Sequence, residues 1–234
     1  MTTTQATKQT DSATGVPDAL ADVDTVVCLH GYAWPGPATY LIKRRLEAEH
    51  GLRALMFSYP SLRRSIDENA ESLAEFLDSH GLESAHLLGH SLGGVVALRM
   101  LATLPVSLKG RVVCLGSPLT GSRAAEFVNT LDFADLFSSS LKAGVIDASA
   151  NEWGREVCDT HDIGVIAGTV GRGLGRIVAG IKEENDGTIA VSETRLEGAT
   201  DHLVMDVSHN RLLTSPAVID QAASFLEQGR FQRD

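Results

Sequence analysis

The chain predicts an α/β fold, a parallel sheet with helices packed on both of its faces. Three observations carry this. Short apolar, β-branched runs alternate with longer stretches of helical periodicity, the runs show no polar alternation, and they end at turn-forming residues. A strand that is apolar on both sides has to be covered on both sides, which is the environment of a parallel strand joined by helical crossovers.

The elements follow in order. Thr25-Val26-Val27-Cys28-Leu29 reads as the first strand and runs into His30-Gly31. Tyr40 to His50 reads as a helix stopped by Gly51. Ala54 to Tyr59 is a second strand ended by Pro60. Ser65-Ile66-Asp67-Glu68 is a capping box, and Ile66, Ala70, Leu73 and Leu77 form the apolar face of the helix it opens, closed by Gly81. Ala85-His86-Leu87-Leu88 is a third strand leading directly to Ser91. Leu92 to Leu104 is apolar on nearly every side, so that helix is buried against the sheet. Arg111 to Gly116 is a fourth strand, ending at Ser117-Pro118. About 40 residues of mixed character follow before Ile163 to Ala167 and then Leu203 to Val207 resume the pattern. Ser215-Pro216 starts a last helix through Leu226, with serine as N-cap and proline at the first helical position.

Length and composition restrict the possible functions. A chain of 234 residues suits one domain with a sizeable core, and 43% apolar with 21% charged residues is the balance of a folded globular protein. The net charge of −10 argues against nucleic acid or an anionic membrane as the main partner. No apolar run approaches the length of a transmembrane helix, so no stable membrane insertion is expected. Residues 1–20 are polar and lack the apolar stretch of a secretory signal, so they read as a disordered leader preceding a domain at 21–234. Three cysteines, two of them in strand-like runs, fit a reducing, cytoplasmic compartment. No CxxC pair, HExxH or Walker-type loop is present, and neither metal nor cofactor is expected.

Chemistry gathers at the carboxyl ends of strands in such folds. Gly89-His90-Ser91-Leu92-Gly93-Gly94 places Ser91 there, between a buried strand and a buried helix. A bare Gly-x-Ser-x-Gly string arises by chance in about one in six chains of this composition, so the flanks give it meaning. They are those of a nucleophile elbow, in which small residues let helix and strand approach and the helix N-terminus supplies free N–H groups. The alternative is a glycine-rich turn without chemistry.

A serine hydroxyl needs a base. Of eight histidines, His50, His80 and His161 fall at helix ends or before a strand, the wrong end of the sheet. His86 is within a strand, and His90 points elsewhere on the turn. His202 and His209 bracket the last strand about 23 Å apart, so only one can reach Ser91. His209 is at the carboxyl end and is the candidate base. An acid is needed to orient it, in the chain order serine, acid, histidine. Asn185-Asp186-Gly187-Thr188 is a turn, so Asp186 is the candidate, with Glu184 in reserve; an ordinary exposed turn is the alternative. Oxyanion donors are expected from the backbone N–H of Leu92 and from that of Tyr32, in the loop after the first strand.

With these pieces the sequence resembles the α/β-hydrolase superfamily, and more closely its small bacterial esterases and lipases. The matching segments are Leu29-His30-Gly31, Gly89 to Gly94, Gly116-Ser117-Pro118, Asn185 to Thr188 and Ser208-His209, extending over about residues 24–226. The resemblance implies a three-layer fold with a minimal, mostly parallel sheet of about six strands. It also implies ester hydrolysis through an acyl-enzyme, with Ser91 as nucleophile, His209 as base then acid, and Asp186 as orienting carboxylate. Two departures stand out. Some 24 residues precede the first strand, too few for the antiparallel hairpin of larger members, and some 19 positions separate Ala167 from Asp186. In this superfamily an insertion such as 119–161 forms a cap, so Phe133 and Phe137 are expected to touch an apolar acyl group; the alternative is surface helices packing apolar stripes on the sheet. The expected partner is a small-molecule ester or lipid. The same triad also serves thioesterases and acyltransferases, and a non-catalytic binding module on this scaffold is the reading from another class.

Overall fold

The structure, a computed structural model, describes residues 20, 22–32, 36–121, 149–171 and 183–233. The strands are β1 (Thr25–Leu29), β2 (Arg53–Phe57), β3 (His86–His90), β4 (Val112–Leu115), β5 (Ile163–Gly168) and β6 (Asp201–Met205). The helices are α1 (Tyr40–Glu49), α2 (Ile66–Ser79), α3 (Leu92–Thr103), α4 (Ser149–Cys158) and α5 (Pro216–Gln228). The strands form one sheet in the order β2-β1-β3-β4-β5-β6, and every pairing is parallel.

The apolar strand residues divide by parity, as side chains on a pleated strand must. Val27 and Leu29 of β1 join the core formed with Leu73 and Leu77 of α2 and Val95 and Leu98 of α3. Val26 and Cys28 join the opposite core with Ile42 and Leu46 of α1 and Val218 and Phe225 of α5. Helices therefore cover both faces, giving the three-layer arrangement expected from the apolar runs.

Local chemistry sets the helix ends in different ways. Ser65 and Glu68 form the reciprocal capping box, with Glu68 N–H donating to Ser65 Oγ at 3.2 Å and Ser65 N–H to Glu68 Oε2 at 2.7 Å. Ser215 occupies the N-cap of α5, but its hydroxyl makes no capping bond; Pro216 with its fixed φ starts that helix. β6 stops at Met205, so Asp206 and Val207, expected inside the strand, lie beyond it. In α4, Trp153 packs against the α2–α3 core under the Arg99 guanidinium, 5.6 Å from its ring centroid. Val157 of the same helix is buried in that core, so this part of 119–161 packs its apolar side on the neighbouring helices. Phe133, Phe137 and the rest of 122–148 lie outside the described residues, as does the leader apart from Leu20.

The order of strands positions the site. The chain moves from β1 outward to β2, then crosses back to β3 and continues the other way. The crevice of such a sheet opens where the direction reverses, at the carboxyl ends of β1 and β3. His30-Gly31-Tyr32 leaves the first of these strands and Ser91 leaves the second.

Candidate active site

Ser91 joins β3 to α3 with φ 52° and ψ −120°, and among the described residues it is the one non-glycine with positive φ. Such a conformation costs about 1–3 kcal/mol and persists only where its surroundings impose it. Here the ladder and the helix both do so. Ser91 N–H donates to Leu115 O at 2.8 Å, and Gly94 N–H donates to Ser91 O at 3.1 Å. The glycines around it are required by contact. A Cβ on Gly89 would lie 2.3 Å from Gly94 N, one on Gly93 2.7 Å from both Leu29 O and His30 O, and one on Gly94 2.2 Å from Ser117 Oγ. The first turn of α3 thus rests on β3, β1 and the end of β4. Its leading N–H groups, Leu92 among them, have no acceptor within the helix.

The loop after β1 is fixed by His30. Its Nδ1 donates to Gly31 O at 2.8 Å, its Nε2 accepts the Tyr59 N–H at 3.2 Å, and Tyr59 Oη donates to His30 O at 2.6 Å. The two rings stack with centroids 4.3 Å apart. Burial holds the His30 pKa below its usual value, and both ring nitrogens are used by a neutral imidazole. Gly31 lies directly over the elbow, where a Cβ would sit 3.0 Å from His90 Nδ1 and 3.1 Å from Ser91 Cβ. The Tyr32 N–H follows in the same loop.

Asp186 is buried in the turn after β5. Its Oδ1 accepts the N–H groups of Thr188 at 2.9 Å and Ile189 at 2.8 Å, which leaves Oδ2 for the His209 Nδ1 at 2.6 Å. The two residues are joined a second time, because His209 N–H donates to Asp186 O at 2.8 Å. Gly116, at φ 56° at the end of β4, permits this: a Cβ there would come within 3.0 Å of Asp186 Oδ2 and 3.2 Å of His209 Nδ1. Glu184, the reserve acid, instead lends its main-chain carbonyl to Val191 N–H at 2.9 Å.

The fold thus brings Asp186 and His209 into direct contact, while Ser91 meets them through main chain at Leu115-Gly116 and through the adjacent His90. Ser91 and His209 are not hydrogen-bonded to each other; bonds of this kind are commonly long until substrate is bound. His202 sits at the other end of β6, its Nε2 2.9 Å from Thr194 Oγ1.

One residue that sequence reasoning set aside belongs to the site. His90 is fully buried, its ring centroid is 4.7 Å from that of His209, and its Nε2 lies 3.1 Å from His209 O. Burial first, and then the neighbouring His209, push its pKa well below the usual value, so it is neutral. Nothing at a variable position of the elbow motif announces this role; the residue had only its adjacency to Ser91.

A profile of the alpha/beta hydrolase family matches residues 26–220. The chain belongs to the alpha/beta hydrolase family. Among solved structures it is similar to the BlEst2 lipase of Bacillus licheniformis. In the mature form the TM-score is 0.68 at 18% identity, covering 97% of this chain and 96% of that one. The propeptide form gives a TM-score of 0.72 at 19% identity, over 94% of this chain and 52% of that one. Two curated relatives are similar over shorter stretches. One is a 2-hydroxy-6-oxononadienedioate/2-hydroxy-6-oxononatrienedioate hydrolase of a Pseudomonas species, 31% identical over 117 residues, 45% of this chain and 41% of that protein. The other is Ethanol acetyltransferase 1 of Wickerhamomyces ciferrii, 27% identical over 112 residues, 47% of this chain and 26% of that protein. The chain therefore spans less than half the length of either curated relative. In this alpha/beta hydrolase, no described helix is long and apolar enough to cross a membrane. Among the described residues, no cluster of three or more His, Cys, Asp or Glu side chains is arranged to hold a metal ion.

Proposed function

We propose that this chain is a serine hydrolase that cleaves carboxylic esters of apolar acyl groups through an acyl-enzyme. The observation that carries the reading is the Asp186–His209 pair, bonded through side chain and main chain at the rim where Ser91 is held in a strained elbow.

In this mechanism the Ser91 Oγ attacks the ester carbonyl carbon while His209 Nε2 takes the hydroxyl proton. Asp186 Oδ2 accepts the Nδ1–H bond, fixes the tautomer and steadies the imidazolium. The tetrahedral oxyanion is received by the Leu92 and Tyr32 N–H groups, which the α3 terminus and the His30–Tyr59 lock hold in advance. Collapse breaks the ester C–O bond, and His209 returns its proton to the departing alcohol. Water then repeats the sequence on the acyl-Ser91, releasing the acid. Removing a single oxyanion donor in sites of this design costs about 10²–10³ in kcat.

A fluorophosphonate probe tests the enzyme reading. It is expected to label wild-type protein at Ser91 and to leave folded Ser91→Ala unlabelled. A folded wild type that resists labelling would favour a binding module instead. A panel of p-nitrophenyl esters of rising chain length then tests the acyl preference, and a maximum at acetate with loss at longer chains would overturn the apolar assignment. Similarity to an ethanol acetyltransferase favours one second reading, acyl transfer to an alcohol. Ethanol added to the ester assay would then yield the ethyl ester in place of the free acid.

A further inference from the structure

We propose that His90 is a positioning residue for the base, tying the main chain of His209 to the strand that carries the nucleophile. The inference rests on the assignment of Ser91 and His209 made above.

A carbonyl oxygen only accepts, so the 3.1 Å contact between His90 Nε2 and His209 O makes Nε2 the protonated nitrogen. Nδ1 is then an acceptor, and it is buried with no hydrogen-bond partner. A buried imidazole with an unused lone pair carries a desolvation cost that an apolar residue at the same place on β3 would not carry. What the imidazole contributes in return is its one donor, aimed at residue 209.

That donor completes a clamp. The N–H of His209 is held by Asp186 O at 2.8 Å and its ring by Asp186 Oδ2 at 2.6 Å. Its carbonyl is held by His90. The Asp186 contacts refer His209 to a loop beyond β5, whereas the His90 contact refers it to β3, which is laddered on both sides to β1 and β4. Since Ser91 is the next residue after His90, nucleophile and base share one rigid reference. The ring contact at 4.7 Å adds a wall behind the His209 imidazole. Being neutral, this wall places no second positive charge beside the imidazolium formed during acylation.

The test compares His90→Phe, which keeps a ring and loses the donor, with His90→Gln, whose side-chain amide restores a donor near the Nε2 position. With p-nitrophenyl esters, His90→Phe is expected to lower kcat by about 10- to 100-fold with KM within about twofold, since small misplacements of a catalytic group have effects of this size. His90→Gln is expected to recover most of that loss even where its melting temperature is lower than that of the Phe variant. The low-field proton resonance of the His209 Nδ1–H, assigned by its absence in His209→Ala, should broaden in His90→Phe and persist in His90→Gln. Unchanged kcat in a folded His90→Phe, or kcat following melting temperature across both variants, would overturn the proposal. If the Phe variant does not fold, His90→Asn, whose amide is too short to reach residue 209, replaces it with the same expected loss. Normal fluorophosphonate labelling of Ser91 alongside unchanged kcat would sink the role of His90 alone; failure of wild type to label would sink the serine-hydrolase reading itself.

Discussion

Two histidines four residues apart on β3 show how the two ends of one sheet differ. His86, at the amino end, has both ring nitrogens engaged by backbone: Nδ1 accepts the Arg111 N–H at 2.9 Å and Nε2 donates to Val23 O at 3.2 Å. It closes the bottom of the sheet. Nearby, the Arg111 guanidinium binds Asp162 and the terminal carbonyls Leu226 O and Glu227 O of α5, anchoring the end of that helix. At the carboxyl end, His90 uses one nitrogen and leaves the other unmet, and His209 commits Nδ1 to Asp186 while its Nε2 makes no bond to Ser91. The same residue type is a finished strut at one rim and a partly open polar group at the other. A folded protein satisfies its buried polar groups almost everywhere, so an unmet group such as His90 Nδ1 draws notice to the rim that carries the candidate site.

This contrast can be broken most forcefully at Asp186. Replacement Asp186→Asn keeps the turn but deprives His209 Nδ1–H of its carboxylate, and kcat for ester hydrolysis is expected to fall by about 10³–10⁴ with little change in melting temperature. A loss under tenfold would remove Asp186 from its role. Gly93→Ala comes next. Its Cβ would meet the carbonyl oxygens of Leu29 and His30 at 2.7 Å, so α3 cannot seat on β1. A loss of about 3 kcal/mol is expected, read as a drop of about 6–12 °C in melting temperature, together with most of the activity.

His86→Leu tests the other rim. It leaves the Arg111 N–H and Val23 O without their partner, so destabilisation of about 2 kcal/mol is expected while kcat stays within about twofold of wild type. A large fall in kcat without loss of stability would erase the distinction between the two ends. A smaller effect concerns pH. Burial lowers the pKa of His30, and that of His90 well below its usual value. Both therefore take up a proton less readily in the fold than in the unfolded chain, which protonates them below about pH 6.5. Their contribution to stability is complete above that pH and is lost as pH falls, with a slope of about 1.4 kcal/mol per pH unit for a group that stays neutral. Urea midpoints at pH 7.5, 6.5 and 5.5 should fall in that order, and less steeply in His90→Gln. The smallest effect is expected at the Arg45–Asp220 pair, where Arg45→Ala should leave the urea midpoint close to that of wild type because the partners are solvated.

Much of the fold was legible because its determinants are local and periodic. The apolar runs of β1, β3, β4 and β5 could only be strands covered on both faces, and Ser65-x-x-Glu68 could only open a helix. Ser91 was legible for a related reason: a strand, three glycines and a helix in immediate succession leave one way to turn. The edge of β6 was less so, since nothing in Met205-Asp206-Val207 signals where the pairing with β5 stops.

What the sequence determined by itself is the set of elements and the serine at their sharpest turn, because hydrophobic periodicity and glycine sterics act between near neighbours. What only the tertiary structure decided is the company that serine keeps. Asp186 and His209 are 23 positions apart and join at 2.6 Å, and His90 reaches across 119 positions to the same histidine. Those contacts depend on the order β1-β3-β4-β5 bringing separate strand ends to one rim, and strand order is set by long-range packing that no local pattern encodes.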